Sequence, residues 1–269
     1  MSEQTTLKPV VIKVSGHELD DPAFLEGLAG AVASLNEPVV VVHGGGKEIS
    51  TLQRRMGIEP RYVDGVRVTD AESLALVEMV LCGIINKRLV RTFLAAGVDA
   101  LGLSGIDRGL VRAEKMRSNG QDMGFTGEVT AVRAEVLTAL LEKGVTPVLA
   151  PICLGPDSAY NVNGDHVAGA VAGAIGASRV VFLTNVEGVL VNDAVVPELS
   201  PEQVESLIND GTIFGGMIPK VRTALGALES GVPRAVITNL AGLRSGGGTA
   251  FQREVTVERE STHKTGENG

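Results

Sequence analysis

The chain has 269 residues, room for one large α/β unit or two lobes, and its 44% hydrophobic content includes only 3% aromatics, no Trp and 34 glycines. Its core must therefore be built from Val, Leu, Ile and Ala between tight turns. A formal net charge of -8 excludes a surface organised for nucleic acid, and it requires any anionic substrate to be met by locally placed Lys or Arg.

The opening MSEQTTLKP has no apolar signal segment, and no apolar run in the chain approaches a membrane span, so a cytoplasmic protein without a membrane partner is expected. Strand-like runs follow at VVIKV (10–14), VVVVH (39–43), ALGLS (100–104), TPVLAP (146–151), RVVFLT (179–184) and RAVIT (234–238). Continuous apolar strands separated by helical patterns predict a mainly parallel sheet covered on both faces. Asp21-Pro22 opens a helix through about Leu35, and Thr69-Asp70-Ala71-Glu72 opens a long one toward Gly97 with capping-box spacing. The apolar surface on that long helix fits either core burial or a dimer interface. From 111 to 132 the helical period vanishes and hairpins projecting from the sheet edge are expected. Cys82 and Cys153 lie far apart without metal-ligand spacing, which predicts buried free thiols and neither a disulfide framework nor a protein-bound metal site. The polar stretch 252–269 reads as a flexible tail.

The chemistry-bearing residues cluster at strand ends. VVVVHGGGKEIS turns from a buried strand into a helix through Gly44, Gly45 and Gly46, which exposes backbone N–H groups at a positive helix end and favours an anion. Neither the P-loop nor the dinucleotide fingerprint fits, because Glu48 follows Lys47 and Ile49 stands where a glycine is required. KVSG (13–16) places Lys13 beside a second glycine turn, Gly16, at the edge where open α/β sheets hold ligands. GGMIPK (215–220) puts Lys220 near a helix start, where a cation is electrostatically misplaced unless an anion joins it. In YNVNGD, Asn161, Asn163 and Asp165 alternate along one extended face. Asp165 is either a helix cap or a carboxylate that holds two lysines. Arg67 in GVRVTD has the planar fork that recognises a carboxylate. His43, ending a buried strand, reads as a structural imidazole.

Taken in order, KVSG, HGGG, GVRVTD, NVNGD, LTNVEGVL and GGMIPK resemble the amino acid kinase family across roughly residues 9–251. The resemblance implies a three-layer αβα sandwich with a mainly parallel open sheet. An N-terminal lobe (1–176) would bind the acyl amino acid and dimerise, and a C-terminal lobe (177–251) would bind ATP with Mg2+. Within the family the chain is similar to the branch that phosphorylates the side-chain carboxylate of N-acetyl-L-glutamate in arginine biosynthesis. By this resemblance Lys13 and Lys220 stabilise the transferring phosphoryl group and Asp165 organises them. Gly44, Gly45, Arg67 and Asn161 bind the acyl amino acid, while Gly16, Gly46, Thr184, Asn185, Gly188, Val189, Leu190, Phe214, Gly216 and Met217 surround the nucleotide. The short polar stretch before the first strand implies a homodimer rather than an arginine-inhibited hexamer. Ser15, Asn185 and Gly164 depart from the usual family pattern, and Asn185 bears on nucleotide contact. CGIINKRLV and GLSGID are also similar to the sister kinase acting on carrier-bound α-aminoadipate, and a non-catalytic sensor on the same fold is a further alternative. A carboxylate nucleophile is already ionised at neutral pH, so no general base is required. Two repelling anions need neutralisation instead.

Overall fold

The computed structural model describes residues 8–118 and 120–252. The predicted flexible tail therefore lies, beyond Gln252, outside the described residues. Eight strands form one sheet in the order Glu198–Leu199, Thr249–Phe251, Ala235–Thr238, Arg179–Leu183, Val10–Val14, Val39–His43, Thr146–Ala150 and Ala100–Ser104. All neighbours are parallel except Thr249–Phe251, which runs antiparallel to Ala235–Thr238. The runs of valine follow from burial on both faces. Val11, Val40 and Val42 enter one core with the helix Gly164–Ala174, while Val10, Ile12, Val39 and Val41 enter the other with the helix Pro22–Ser34. The period of two then places Lys13 on the same side as Val11, toward the helix that carries Asp165.

The long helical stretch begins at Asp70, whose carboxylate accepts from Ser73 N at 2.8 Å. The N-cap thus falls at Asp70 rather than Thr69, with a single capping bond in place of the expected capping box, and Thr69 bridges to Gly124 instead. The stretch runs as Ala71–Glu78, a π-helical segment Met79–Ile85, and Asn86–Ala95. A π segment adds a residue to the turn and re-aims the side chains on it. Here Leu81 and Ile85 bear on the glycine turn: a Cβ on Gly45 would lie 2.7 Å from Leu81 Cδ2 and 2.5 Å from Ile85 Cδ1.

The stretch 111–132 forms one long hairpin, Val111–Ser118 with Gln121–Val132, rather than several projecting ones. It closes with Ile152–Leu154 and Ala159–Val162 into a four-stranded barrel. That closure buries Val111, Ala113 and Met123 and brings Asn161 beside Thr126. Cys153 is buried, but Cys82 is only partly so, which corrects one of the two buried-thiol expectations. No helix among the described residues is long and apolar enough to cross a membrane.

Candidate active site

Three loops share the carboxyl edge of the sheet. They follow the strands Val39–His43, Val10–Val14 and Arg179–Leu183, which are consecutive neighbours. Ser15 N donates to Leu183 O at 3.2 Å and Gly44 N to Val14 O at 3.0 Å, so the loops are tied through their first residues. Glycine is required where two of them touch. A Cβ on Gly16 would lie 2.6 Å from Gly45 N and 2.9 Å from Gly45 Cα, backbone against backbone. The helix Gly46–Arg55 starts there with no side-chain cap. Gly44 has its N–H engaged by Val14, which leaves Gly45, Gly46 and the first helical turn to face a ligand.

This turn lines a cleft of ≈ 260 Å³ together with Lys13, Gly16, Arg67 and Asn161. Lys13 Nζ lies 2.8 Å from Asp165 Oδ1. Asp165 is free for that pairing because Asn163 caps the helix, its side chain accepting from Asp165 N at 2.8 Å. The cap reading of Asp165 is thereby overturned, and so is the single extended face, since Asp165 already lies in the first helical turn. Asn161 donates to Thr69 Oγ1 at 3.0 Å.

Arg67 is 8% exposed, and burial lowers its pKa. Its partners are neutral: Nη1 donates to Gln53 Oε1, and Nη2 reaches Tyr62 OH at 2.6 Å, Ser50 Oγ at 2.8 Å and Gly46 O at 3.1 Å. Among the described residues no carboxylate pairs with it. A buried guanidinium without a counter-ion is costly unless a ligand supplies one. Sequence reasoning passed over Ser50 and Gln53, although Gly46, Ser50 and Gln53 recur at helical spacing on one face, a polar pattern that could have been found.

His43 is fully buried, and desolvation lowers its pKa to about 4. Its Nδ1 lies 3.0 Å from Gly44 O and its Nε2 lies 3.3 Å from Asn86 Nδ2. A neutral ring protonated on Nδ1 satisfies both contacts. It braces the glycine turn from behind.

A second pocket of ≈ 640 Å³ gathers Gly188, Val189, Leu190, Phe214 and Met217. Phe214 is 74% exposed and Leu190 is 50% exposed, so an apolar wall faces solvent there. Val189 N donates to Thr249 Oγ1 at 2.8 Å, which fixes the loop against the last strand of the sheet. Thr184, Asn185 and Gly216 are not among the lining residues. Thr184 N is held by Thr238 O at 2.9 Å, and its hydroxyl donates to Asn185 Oδ1 at 3.2 Å.

Lys220 lines neither space. Its Nζ donates to Gly216 O at 3.2 Å, at the N-cap of its own helix Met217–Glu229. The structure thus joins Asp165 to one lysine, Lys13, and not to both. The two helices nevertheless run side by side in the same direction: a Cβ on Gly169 would lie 3.6 Å from Ala227, and one on Gly173 would meet Ser230. Counting back at about 1.5 Å per residue, Asp165 precedes Gly169 by about 6 Å and Lys220 precedes Ala227 by about 10 Å. Lys220 therefore sits at the same edge, slightly beyond Asp165.

Residues 8–239 match the amino acid kinase family. This chain belongs to that family. The family member is 55% identical over 251 residues to an acetylglutamate kinase of Roseiflexus sp. (strain RS-1), covering 93% of this chain and 94% of the relative. To an acetylglutamate kinase of Methanopyrus kandleri it is 48% identical over 248 residues, covering 89% of this chain and 98% of the relative. Among solved structures, an N-acetylglutamate synthase from Neisseria gonorrhoeae, complexed with coenzyme A and N-acetyl-glutamate, shares the fold with a TM-score of 0.81. Its identity is 23%, and the match covers 94% of this chain and 61% of that one. A carbamate kinase from Giardia lamblia bound to AMP-PNP has a TM-score of 0.65 at 16% identity, covering 92% of this chain and 99% of that one. At such identities the two structures speak to the amino acid kinase fold alone.

Proposed function

We infer that this chain transfers the γ-phosphoryl group of ATP to the side-chain carboxylate of N-acetyl-L-glutamate, releasing ADP and an acyl phosphate. The observation that carries the reading is Arg67, buried, without a counter-ion among the described residues, in the same cleft as Lys13 and the uncapped glycine turn. An acidic substrate would bring its α-carboxylate to Arg67, with Asn161 helping to orient it. Its side-chain carboxylate would then point toward Gly45, Gly46 and Lys13. The bond between the γ-phosphorus and the bridging oxygen of ATP breaks as a carboxylate oxygen bonds to phosphorus, and no proton need move at neutral pH. The protein's part is neutralisation and alignment, which is what phosphoryl transfer demands.

In this reading Asp165 holds the Lys13 ammonium against the phosphoryl position, and Lys220 adds a second cation from the neighbouring helix. MgATP enters as the second substrate, its base and sugar against the loop 186–190 with Phe214 and Met217, its phosphates toward Gly16 and Gly46. The C-terminal lobe, 177–251, is accordingly the nucleotide side and the N-terminal lobe, 1–176, the acyl amino acid side. The cytoplasm is the fitting compartment for such a biosynthetic enzyme. Homodimerisation would use the helical stretch 71–95, where Met79 is 54% exposed and Ile84 is 46% exposed. Sedimentation at micromolar concentration should give twice the chain mass, and a monomer would refute this part.

Hydroxylamine trapping tests the reaction. ATP and N-acetylglutamate should yield a hydroxamate. Trapping only with carrier-bound α-aminoadipate would favour the sister activity, and trapping with neither would favour a sensor. Relatives named acetylglutamate kinase at this identity and coverage support the first outcome.

A further inference from the structure

Tyr62 occupies a position that core packing does not explain. It stands on the small hairpin Arg61–Val63 with Val66–Val68, directly opposite Arg67 in the ladder, and is 51% exposed. Yet its ring lies 4.8 Å from the Arg67 guanidinium carbon, and its hydroxyl accepts from Arg67 Nη2 at 2.6 Å. The same hydroxyl is 3.0 Å from Ser50 Oγ, which itself donates to Gly46 O at 2.8 Å. Ser50 has one proton and gives it to Gly46, so between the two hydroxyls Tyr62 must be the donor. The protons therefore run in one direction, from Arg67 to Tyr62 to Ser50 to the carbonyl of Gly46 in the glycine turn.

We propose that Tyr62 is a positioning residue that fixes the direction of Arg67 and thereby makes the cleft a ruler for the length of the acidic substrate. The inference rests on the acetylglutamate reading. A substrate held at one end by Arg67 must deliver its other carboxylate to the glycine turn and Lys13. Arg67 reaches Ser50 and Gly46 directly, and Tyr62 adds the solvent-facing part of the same network, bonded to both Arg67 and Ser50, so the separation of the two ends is set by hydrogen bonds that Tyr62 completes. The ring and the hydroxyl make distinct contributions: the ring face attracts the guanidinium, whose carbon lies 4.8 Å from the centroid, and the hydroxyl gives it a directed hydrogen bond. Without both, Arg67 keeps Gln53, Ser50 and Gly46 as partners but loses the contact on its exposed side that limits its swing toward a shorter substrate. N-acetylaspartate, one methylene shorter, reports that loss.

The test compares wild type, Tyr62→Phe and Tyr62→Leu in steady-state assays with N-acetylglutamate and N-acetylaspartate, with KM for ATP as an internal reference and melting temperature as the folding check. Tyr62→Phe should raise KM for N-acetylglutamate about tenfold, equivalent to ~1.4 kcal/mol, with kcat and KM for ATP within about twofold. The preference for N-acetylglutamate over N-acetylaspartate in kcat/KM should narrow by a similar factor, and Tyr62→Leu should extend both effects. An unchanged KM and unchanged preference in a folded Tyr62→Leu would overturn the proposal, as would a fall in kcat with KM unmoved. A wild-type protein that does not phosphorylate N-acetylglutamate would overturn the functional reading, and this inference with it.

Discussion

Adding a single methyl group at Gly16 tests whether close approach of the two glycine turns sets the reaction geometry. An ordinary contact begins at about 3.4 Å, whereas a Cβ on Gly16 would sit 2.6 Å from Gly45 N and 3.0 Å from Gly46 N. The obstacle is backbone, so Gly16→Ala must push the turns apart by roughly 0.8 Å, the difference between the 3.4 Å of an ordinary contact and the 2.6 Å to Gly45 N. The turn cannot yield toward its other side, because Leu81 and Ile85 are 2% and 0% exposed and press on Gly45 from the π-helical segment. A displacement near 1 Å at reacting atoms costs about 100-fold in rate, while overpacking costs about 1–3 kcal/mol of stability. We expect Gly16→Ala to remain folded with kcat/KM for N-acetylglutamate about 50- to 100-fold down in the hydroxamate assay. Gly30→Ala is the control, since a Cβ on Gly30 meets nothing within 4 Å and the residue lies exposed in the helix Pro22–Ser34. It should leave kinetics unchanged and stabilise the fold by about 0.4–1 kcal/mol. A folded Gly16→Ala within about threefold of wild type would refute the reasoning.

Two further outcomes follow from titratable groups at the site. Asp165→Asn keeps the shape but removes the carboxylate 2.8 Å from Lys13; kcat should fall about 100-fold or more with both KM values within several-fold, while stability should change by about 1 kcal/mol or less because the pair is partly exposed. A kcat within threefold in stopped assays would remove Asp165 from the mechanism. His43 has its pKa lowered by burial to about 4, whereas in the unfolded chain it is near 6.5. As pH falls below about 6.5 the unfolded state takes up the proton first, so stability is full above that pH and is lost down to about pH 4. Between pH 7.5 and 5 the wild type should lose about 2 kcal/mol more than His43→Gln in urea denaturation. Parallel pH profiles would show that His43 is not the group responsible.

Strand positions were legible in the chain because strands buried on both faces must be continuously apolar, and Val10–Val14 and Val39–His43 begin and end where their composition says. The glycine turns were legible for a related reason: only glycine permits the backbone contact between Gly16 and Gly45. Arg67, Lys13 and Asp165 were recognisable as charge types next to such turns. Their pairing was left open between two readings, because local sequence leaves Asp165 free to cap its own helix, and the position of Asn163 decides for Lys13. The environment of Arg67 was also hidden, since Gln53, Ser50 and Tyr62 come from a helix and a hairpin whose approach depends on tertiary packing. The same holds for the barrel formed by the hairpin 111–132, for the π-helical turn that presses Leu81 and Ile85 on Gly45, and for Lys220 turning back to Gly216. Periodicity and turn chemistry are local properties of the chain. Which buried charge meets which partner depends on contacts between distant segments, and these exist only once the sheet and its helices have assembled.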